Sequence, residues 1–352
     1  MAKSNEERRN VLVMRFSALG DVAMTIPVVY PVCRANPDTR FIMLTKKWPA
    51  SMFHDRPDNL EVVGIDVKKE YKGLIGLYRL ASRLVKEYHV DAVADLHNVL
   101  RTRIMGLFMR LRGIQVVKLD KQRAQRRALV SHRTTEPVTS TIDRYRMVFE
   151  QLDLDAPDNF TRLYDGKPVP ESPIVLEKKP GTKWIAISPF SAHDGKVYPL
   201  ELMKRVIAIL NKRENYWIFL MGGGKEEKIA LRGVARGNQR ITSMAEIKHG
   251  FIDEYALLDK CDVMLTMDSA NMHLASLMGL KAITIWGATS PACGFRGYGQ
   301  DASTDIQLDD LDCRPCSIYG ERDCKHGDFR CMTRIPPERI AQRVIDLLEG
   351  KG

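Results

Sequence analysis

The chain has 352 residues, 44% hydrophobic and 28% charged, with a formal net charge of +10. That is the composition of a globular protein, long enough for two domains that each bury a core. No apolar run approaches the ~20 residues that span a bilayer, and the opening MAKSNEERRN carries no apolar targeting core, so the expectation is a cytoplasmic protein.

In chain order, the run VLVM opens a first predicted strand over 11–15. The stretch RFSALGDVAMTIP follows, where a Rossmann-type protein would put its phosphate loop, yet it has a single glycine followed at once by Asp21. A carboxylate is badly suited to face a diphosphate, and local sequence leaves Asp21 open between a helix cap and an acid–base group. Gly20 permits a sharp turn, while Pro27 and Pro31 limit how early a regular helix starts, so Asp21 is expected in a turn. Further strands are predicted over 40–45, 60–65, 90–95 and 114–119, with helices near 26–35, 73–88, 100–112 and 140–153. This alternation argues for a parallel sheet covered on both faces.

Between Arg101 and Arg133 there are ten lysines or arginines against one acid, Asp120. Such a stripe is either a solvated helix face or an attractor of anions: nucleic acid, an anionic membrane surface or a phosphorylated substrate. No aromatic RNA-binding signature interleaves the charges, which argues against nucleic acid. Residues 155–182 hold Pro157, Pro168, Pro170, Pro173 and Pro180 and read as a linker.

The alternation then restarts, with strands over 183–188, 216–221, 262–266 and 281–286 and helices near 199–212, 225–236, 252–260 and 271–278. A last amphipathic helix covers about 336–349. The fold class is therefore α/β, with two Rossmann-like doubly wound domains facing a cleft. Their expected bounds are 1–165 and 166–335, with 336–352 packing back towards the first domain. Ligands of such sheets sit beyond the carboxyl ends of the strands.

Three strand ends in the second half carry candidates. Ser191 and Lys196 stand in SPFSAHDGKVYP, where a lysine beside hydroxyls and free N–H groups suits phosphate. MGGGKEE supplies Gly222, Gly223 and Gly224, which permit positive φ and close backbone approach, then Glu226 and Glu227. These acids either complement the helix dipole or accept hydrogen bonds from a ribose. In LTMDSANMHLASLMGLKAITIWG, Asp268 or Ser269 caps a helix that stops at Gly279. Its N-terminus is an anion site, and His273 lies one turn inside. Singly, each loop reads as a surface lysine, a tight turn or a helix cap; together they suit a nucleotide diphosphate. Asp153-Leu-Asp155 and Asp310-Leu-Asp312 match a DxD metal motif formally and are taken as chance.

Cys313, Cys316, Cys324 and Cys331 form C-x2-C-x7-C-x6-C in a polar loop. In a cytosolic chain this spacing is compatible with tetrahedral zinc, His326 being an alternative ligand; the other reading is free thiols in a packed loop. Cys33, Cys261 and Cys293 read as buried small apolar residues.

VLVMRFSALGDVAMTIPV and MDSANMHLASLMGLKAITIWGATSP together resemble the ADP-heptose:lipopolysaccharide heptosyltransferases, glycosyltransferase family 9, nearly full length and in the same order. The resemblance implies a GT-B fold, with acceptor bound by the first domain and nucleotide-sugar by the second. It implies inverting, metal-independent transfer of heptose from ADP-heptose to the anionic, lipid-linked inner core of lipopolysaccharide at the cytoplasmic face of the inner membrane. Asp21 would be the general base. Ser191, Lys196, Gly223, Glu226 or Glu227, Asp268, Ser269, Ala270 and His273 would hold the donor. Ser17, Asn98, Arg101, Arg103, Arg126 and Arg127 would hold the acceptor. No cofactor would be required for catalysis, leaving zinc a structural candidate only. Ala270 stands where the family has glycine, and WGATSP replaces FGPTDP, so another nucleotide-sugar and glycolipid, or a non-catalytic glycan-binding protein, are the alternatives.

Overall fold

The computed structural model describes residues 8–351. Residues 1–7, part of the stretch read above for a targeting signal, lie outside it, as does Gly352. The chain divides into two compact units. The first runs to Lys121 and resumes over Thr139–Leu163; the second takes Gln122–Val138 and everything from Tyr164 onward.

The first unit contains β1 (Arg9–Met14), α1 (Leu19–Ala23), α2 (Ile26–Ala35), β2 (Thr39–Lys46), α3 (Lys47–Ala50), β3 (Leu60–Ile65), α4 (Val67–Glu70), α5 (Gly73–Tyr88), β4 (Ala92–Asp95), α6 (Leu100–Arg110) and β5 (Gln115–Lys118). The chain then contributes α7 (Arg123–Val130) to the second unit and returns as α8 (Thr141–Glu150). The sheet order is β3-β2-β1-β4-β5, all parallel. Strand β1 is buried along nearly all its length, which is why its sequence is a continuous apolar run rather than an alternating one. Helix α5 repeats Leu77, Leu80, Ala81, Leu84 and Tyr88 at helical spacing and sinks that stripe onto Leu12, Met14, Ile42 and Val93 of the sheet.

The second unit continues with β6 (Lys183–Ser188), α9 (Leu200–Asn211), β7 (Tyr216–Leu220), α10 (Lys225–Ala235), β8 (Ile241–Ser243), α11 (Phe251–Lys260), β9 (Val263–Met267), α12 (Ala270–Leu277), β10 (Ala282–Ile285), β11 (Asp305–Ile306), α13 (Arg330–Thr333) and α14 (Pro337–Leu348). Its parallel order is β11-β10-β9-β6-β7-β8. Each sheet thus starts at its centre, winds one way, then reverses. The reversal falls between β1 and β4 in the first and between β6 and β9 in the second, which is where such sheets open a crevice beyond their strand ends.

Two expected boundaries change. Residues 122–138 belong to the second unit, where Arg126 is buried against Phe295 and Tyr319. Helix α14 belongs to the second unit. Ile340, Ala341, Val344 and Ile345 are spent in the second unit's core, and the helix packs on α9 and β9. Among the described residues no helix is long and apolar enough to cross a membrane.

Candidate active site at two sets of strand ends

In the first unit, Asp21 is helical rather than in an open turn. It lies in the first turn of α1, and its Oδ2 accepts the Ala18 N–H at 2.8 Å. The same oxygen is 2.5 Å from Nη2 of Arg15, the residue that follows β1. Arg15 is itself fixed, donating through Nη1 to the Leu96 carbonyl at 2.7 Å, beyond β4. The ring of Tyr145 lies under its guanidinium, and the Tyr145 hydroxyl donates to the Asp21 carbonyl at 3.4 Å. The carboxylate therefore stands at the reversal between β1 and β4, held by a buried arginine, and its side chain remains 21% exposed.

His97 closes this strand end from the other side, its Nδ1 accepting the Phe16 N–H at 3.4 Å. Burial, then the nearby Arg15 charge, pulls its imidazole down to about 3, so it is neutral there. Asp95 accepts from the N–H groups of His97 and Asn98, and burial raises its carboxyl. Asn98 adopts a left-handed backbone, donates to the Leu119 carbonyl and accepts from Arg103 Nε at 2.7 Å. Asn98 and Arg103 are thus in contact, Arg101 is exposed beside them on α6, and Ser17 is half-buried after β1. Arg126 and Arg127 lie on α7 of the second unit. Arg126 is only 8% exposed, and its Nη1 donates to the Tyr319 hydroxyl at 2.6 Å. Its guanidinium lies over the Phe295 and Tyr319 rings.

In the second unit, the loops after β6 and β9 meet at the other reversal. Ser191 Oγ donates to the Asp268 carbonyl at 2.9 Å, and Asn271 Nδ2 donates to Ser188 Oγ at 2.6 Å. Lys196 Nζ lies 3.2 Å from Asp268 Oδ2, with the side chains 14% and 7% exposed. Thr289 donates to that same oxygen at 2.8 Å. Asp268 is therefore no helix cap: its carboxylate is clamped by a cation and a hydroxyl from two other loops. Ser269 occupies the N-cap position of α12 but makes no capping bond, its hydroxyl turning instead to Thr266 at 3.2 Å. The first turn of α12, with Ala270 at its start, thus presents N–H groups without a side-chain cap, as an anion site requires. His273 is buried one turn inside, and Gly279 ends the helix at φ +67. An ammonium carries three protons and the Asp268 contact uses one, so Lys196 retains donors for a phosphate.

The glycine loop behaves differently from expectation. None of Gly222, Gly223 and Gly224 adopts positive φ. A Cβ at Gly222 would come within 2.8 Å of Leu231 Cδ1, so a side chain there would have to displace the tip of that leucine. Glu227 accepts the Gly223 N–H at 2.7 Å and staples the loop to α10, while Glu226 is exposed.

Close approach is instead concentrated around Lys196. A Cβ at Gly320, φ +81, would lie 2.5 Å from Lys196 Cγ, and one at Gly287 would lie 2.5 Å from the Gly195 carbonyl. The Ala288 N–H donates to that carbonyl at 2.7 Å. Gly320 belongs to the cysteine loop, which Arg314 anchors by donating to the carbonyls of Trp286, Gly287 and Thr289 at the end of β10. Burial depresses the Arg314 guanidinium. Cys313, Cys316, Cys324 and Cys331 are free thiols lining one cavity of about 20 Å³, with His326. Among the described residues, no three His, Cys, Asp or Glu side chains are arranged to hold a metal ion. Cys33, Cys261 and Cys293 are buried, as expected.

Arg15, Thr289 and Arg314 carry these arrangements and were not singled out from sequence. A charged residue directly after a buried strand is a usable signal for Arg15. Thr289 lies in WGATSP, a departure whose structural use is invisible without the fold.

Residues 77–323 match the family described as glycosyltransferase family 9 (heptosyltransferase). Lipopolysaccharide heptosyltransferase 1 of Pseudomonas aeruginosa is 25% identical over 374 residues, covering 96% of this chain and 98% of its own. Among solved structures, a glycosyltransferase family 9 protein from Veillonella parvula superposes with a TM-score of 0.74 at 19% identity, covering 97% and 98% of the two chains. The E. coli heptosyltransferase WaaC with ADP gives 0.66 at 18% identity, covering 97% and 100%. The same enzyme with ADP-2-deoxy-2-fluoro heptose gives 0.64 at that identity and coverage. The two-sheet α/β architecture is that of these GT-B structures.

Proposed function

The chain belongs to glycosyltransferase family 9, the heptosyltransferases, and from that premise we propose that it moves a heptose from ADP-heptose to the inner core of lipopolysaccharide. Support for the donor comes from the complexes of WaaC, and for the acceptor from the name of the Pseudomonas relative. The observation that carries the reading is the second unit's strand-end cluster, in which Lys196 and the uncapped start of α12 offer a cation and N–H groups together. A diphosphate leaving group suits that pair.

The chemistry is a single displacement with inversion. An acceptor hydroxyl attacks the anomeric carbon, the bond from that carbon to the phosphate oxygen breaks, and ADP leaves with the electron pair. The hydroxyl proton passes to the Asp21 carboxylate, the general base. Lys196 and α12 stabilise the charge growing on the diphosphate, so the reaction needs no metal ion. Ser191, Ser269, Ala270 and His273 shape the same pocket, Gly223 and Glu226 border the nucleoside, and Glu227 holds their loop. Glu226, being exposed, is assigned the ribose. Ser17, Asn98, Arg101 and Arg103 take the anionic acceptor from the first unit. The enzyme works in the cytoplasm against the inner membrane, where its lipid-linked acceptor lies.

The four thiols border one cavity but are not arranged to hold a metal ion, so a structural zinc bound by Cys313, Cys316, Cys324 and Cys331 would require the loop to rearrange around it. Zinc near one equivalent in the purified protein, with a lower melting temperature after chelation, would show that rearrangement; metal-free protein of unchanged stability would exclude it.

A thermal-shift series against ADP-, UDP- and GDP-sugars tests the donor. Stabilisation grows as RT ln(1 + [L]/Kd), about 2.7 kcal/mol at a hundredfold excess over Kd. ADP-heptose should raise the melting temperature most; a UDP-sugar doing so instead would reassign the donor.

A further inference from the structure

Helices α5 and α6 pack side by side in the first unit, and their outer face is unusually apolar for a surface. Leu74, Ile75 and Tyr78 of α5 are 63%, 69% and 47% exposed. On α6, Leu100 and Leu107 are 73% and 54% exposed, and Leu111, directly after it, is 76% exposed. Residues 100, 107 and 111 are spaced to fall on one stripe of a helix, with Ile104 between them. None of these residues belongs to the core, which α5 and α6 reach through Leu77, Leu80, Leu84, Met105 and Met109. The outer face contains a groove of about 550 Å³, bordered by Lys68, Lys72, Leu74, Leu100, Arg101 and Ile104.

Cations outnumber acids around it. Residues 96–119 contain no acid, and the acids beside the two helices are engaged: Asp66 accepts the Lys68 and Lys69 N–H groups, Glu70 pairs with Lys47 at 2.6 Å and Glu87 with Arg83 at 3.8 Å. Lys68, Lys69, Lys72, Arg79 and Arg112 remain exposed. Arg112 lies over the Tyr78 ring, which meets Phe108 edge-on at 5.2 Å, so this cation and the apolar face form one packed unit.

We propose that the α5–α6 face seats the protein on an anionic phospholipid bilayer, with Leu74, Ile75, Leu100, Leu107 and Leu111 entering the headgroup–acyl boundary and the surrounding lysines and arginines against the headgroups. An apolar stripe flanked by long cationic side chains is the arrangement by which helices lie in a membrane interface. Charge complementarity selects this occupant. A second copy docking on the same face would bring like cations together, because a two-fold contact uses one patch twice. The inference rests on the proposed function only in that a lipid-linked acceptor gives the seating a purpose.

The test is co-sedimentation of the full chain with vesicles of phosphatidylglycerol and phosphatidylethanolamine, against vesicles of phosphatidylcholine alone. Binding to the anionic vesicles should be at least about tenfold tighter and should weaken with salt. The double variant Leu74→Ser/Leu107→Ser, both at exposed positions, should lose about tenfold or more of that affinity. Lys68→Ser and Lys72→Ser should each lose about fivefold. Binding without preference for anionic lipid, or undiminished binding of these variants, would overturn the proposal. So would a monomer–dimer equilibrium abolished by the leucine variant in protein that ignores vesicles. The nucleotide-sugar thermal shift, read on the same samples without lipid, reports on the donor assignment independently of the seating.

Discussion

Each unit places an aspartate beyond a central strand, and the two are held in different ways. Asp21 is secured by its own neighbourhood: Ala18 and Arg15 lie within six residues of it, and its side chain is 21% exposed. Asp268 is secured by distant parts of the chain, Lys196 before it and Thr289 after it, and is 7% exposed. A group that must exchange a proton with a substrate needs access and a fixed orientation, which local contacts supply without covering it. A group that positions a lysine can be buried, provided its charge is matched. Under the proposed mechanism, the same strand-end position holds a reacting carboxylate in one unit and a lysine-positioning one in the other.

Removing the carboxylates and their partners tests that difference. Asp21→Asn should lower turnover by roughly 10²–10⁴-fold, with ADP affinity unchanged by calorimetry; a comparable loss of ADP binding would place Asp21 on the donor side and erase the contrast. Lys196→Met should weaken ADP by roughly 10–100-fold, as for a lost hydrogen bond to a charged group. It should also cost about 3–5 kcal/mol of stability, because Asp268 is left buried and uncompensated. Adding Asp268→Asn should restore the stability and leave the binding defect. If the double variant melts no higher than the single one, the Asp268 charge is not what Lys196 neutralises.

The smallest effect concerns acid. His97 is held near 3 by burial and by Arg15, whereas an unfolded chain protonates it around 6.5. Between those values the unfolded state binds the extra proton, so the stability contributed by neutral His97 is present above pH 6.5 and lost as pH falls towards 3. His97→Gln should therefore flatten the fall in melting temperature between pH 6.5 and 4. An unchanged slope would mean that other groups govern the acid limb of the first unit.

Periodicity was enough to find the longer alternating elements, and strand-end logic to place Asp21 and Asp268 just beyond buried strands, because those features are encoded in adjacent residues. Lys196 was legible for the same reason, lying on a loop straight after a buried strand. Its bond to Asp268 and the contact of Thr289 were not legible, since both depend on which loops the sheet order brings together. The transfer of α7 to the second unit lay further out of reach. It turns on Arg126 meeting Tyr319, 193 residues away in sequence, and no local pattern states which aromatic ring a cation will find. The short strands β8 and β11 were missed because three and two residues are too few to show a period. The glycine loop differs for a related reason: composition announces conformational freedom, but none of its three glycines uses positive φ.

Gly320 sits among the cysteines without sharing their chemistry. Its missing side chain is the space in which the stem of Lys196 lies, and its backbone occupies a region few other residues tolerate. In a randomised library of this loop selected for transfer, the thiols and the glycine would answer to separate pressures. Variation at the cysteines would track how the loop is held together, whereas position 320 would admit almost no alternative, because its tenant is chosen by a lysine more than a hundred residues earlier in the chain.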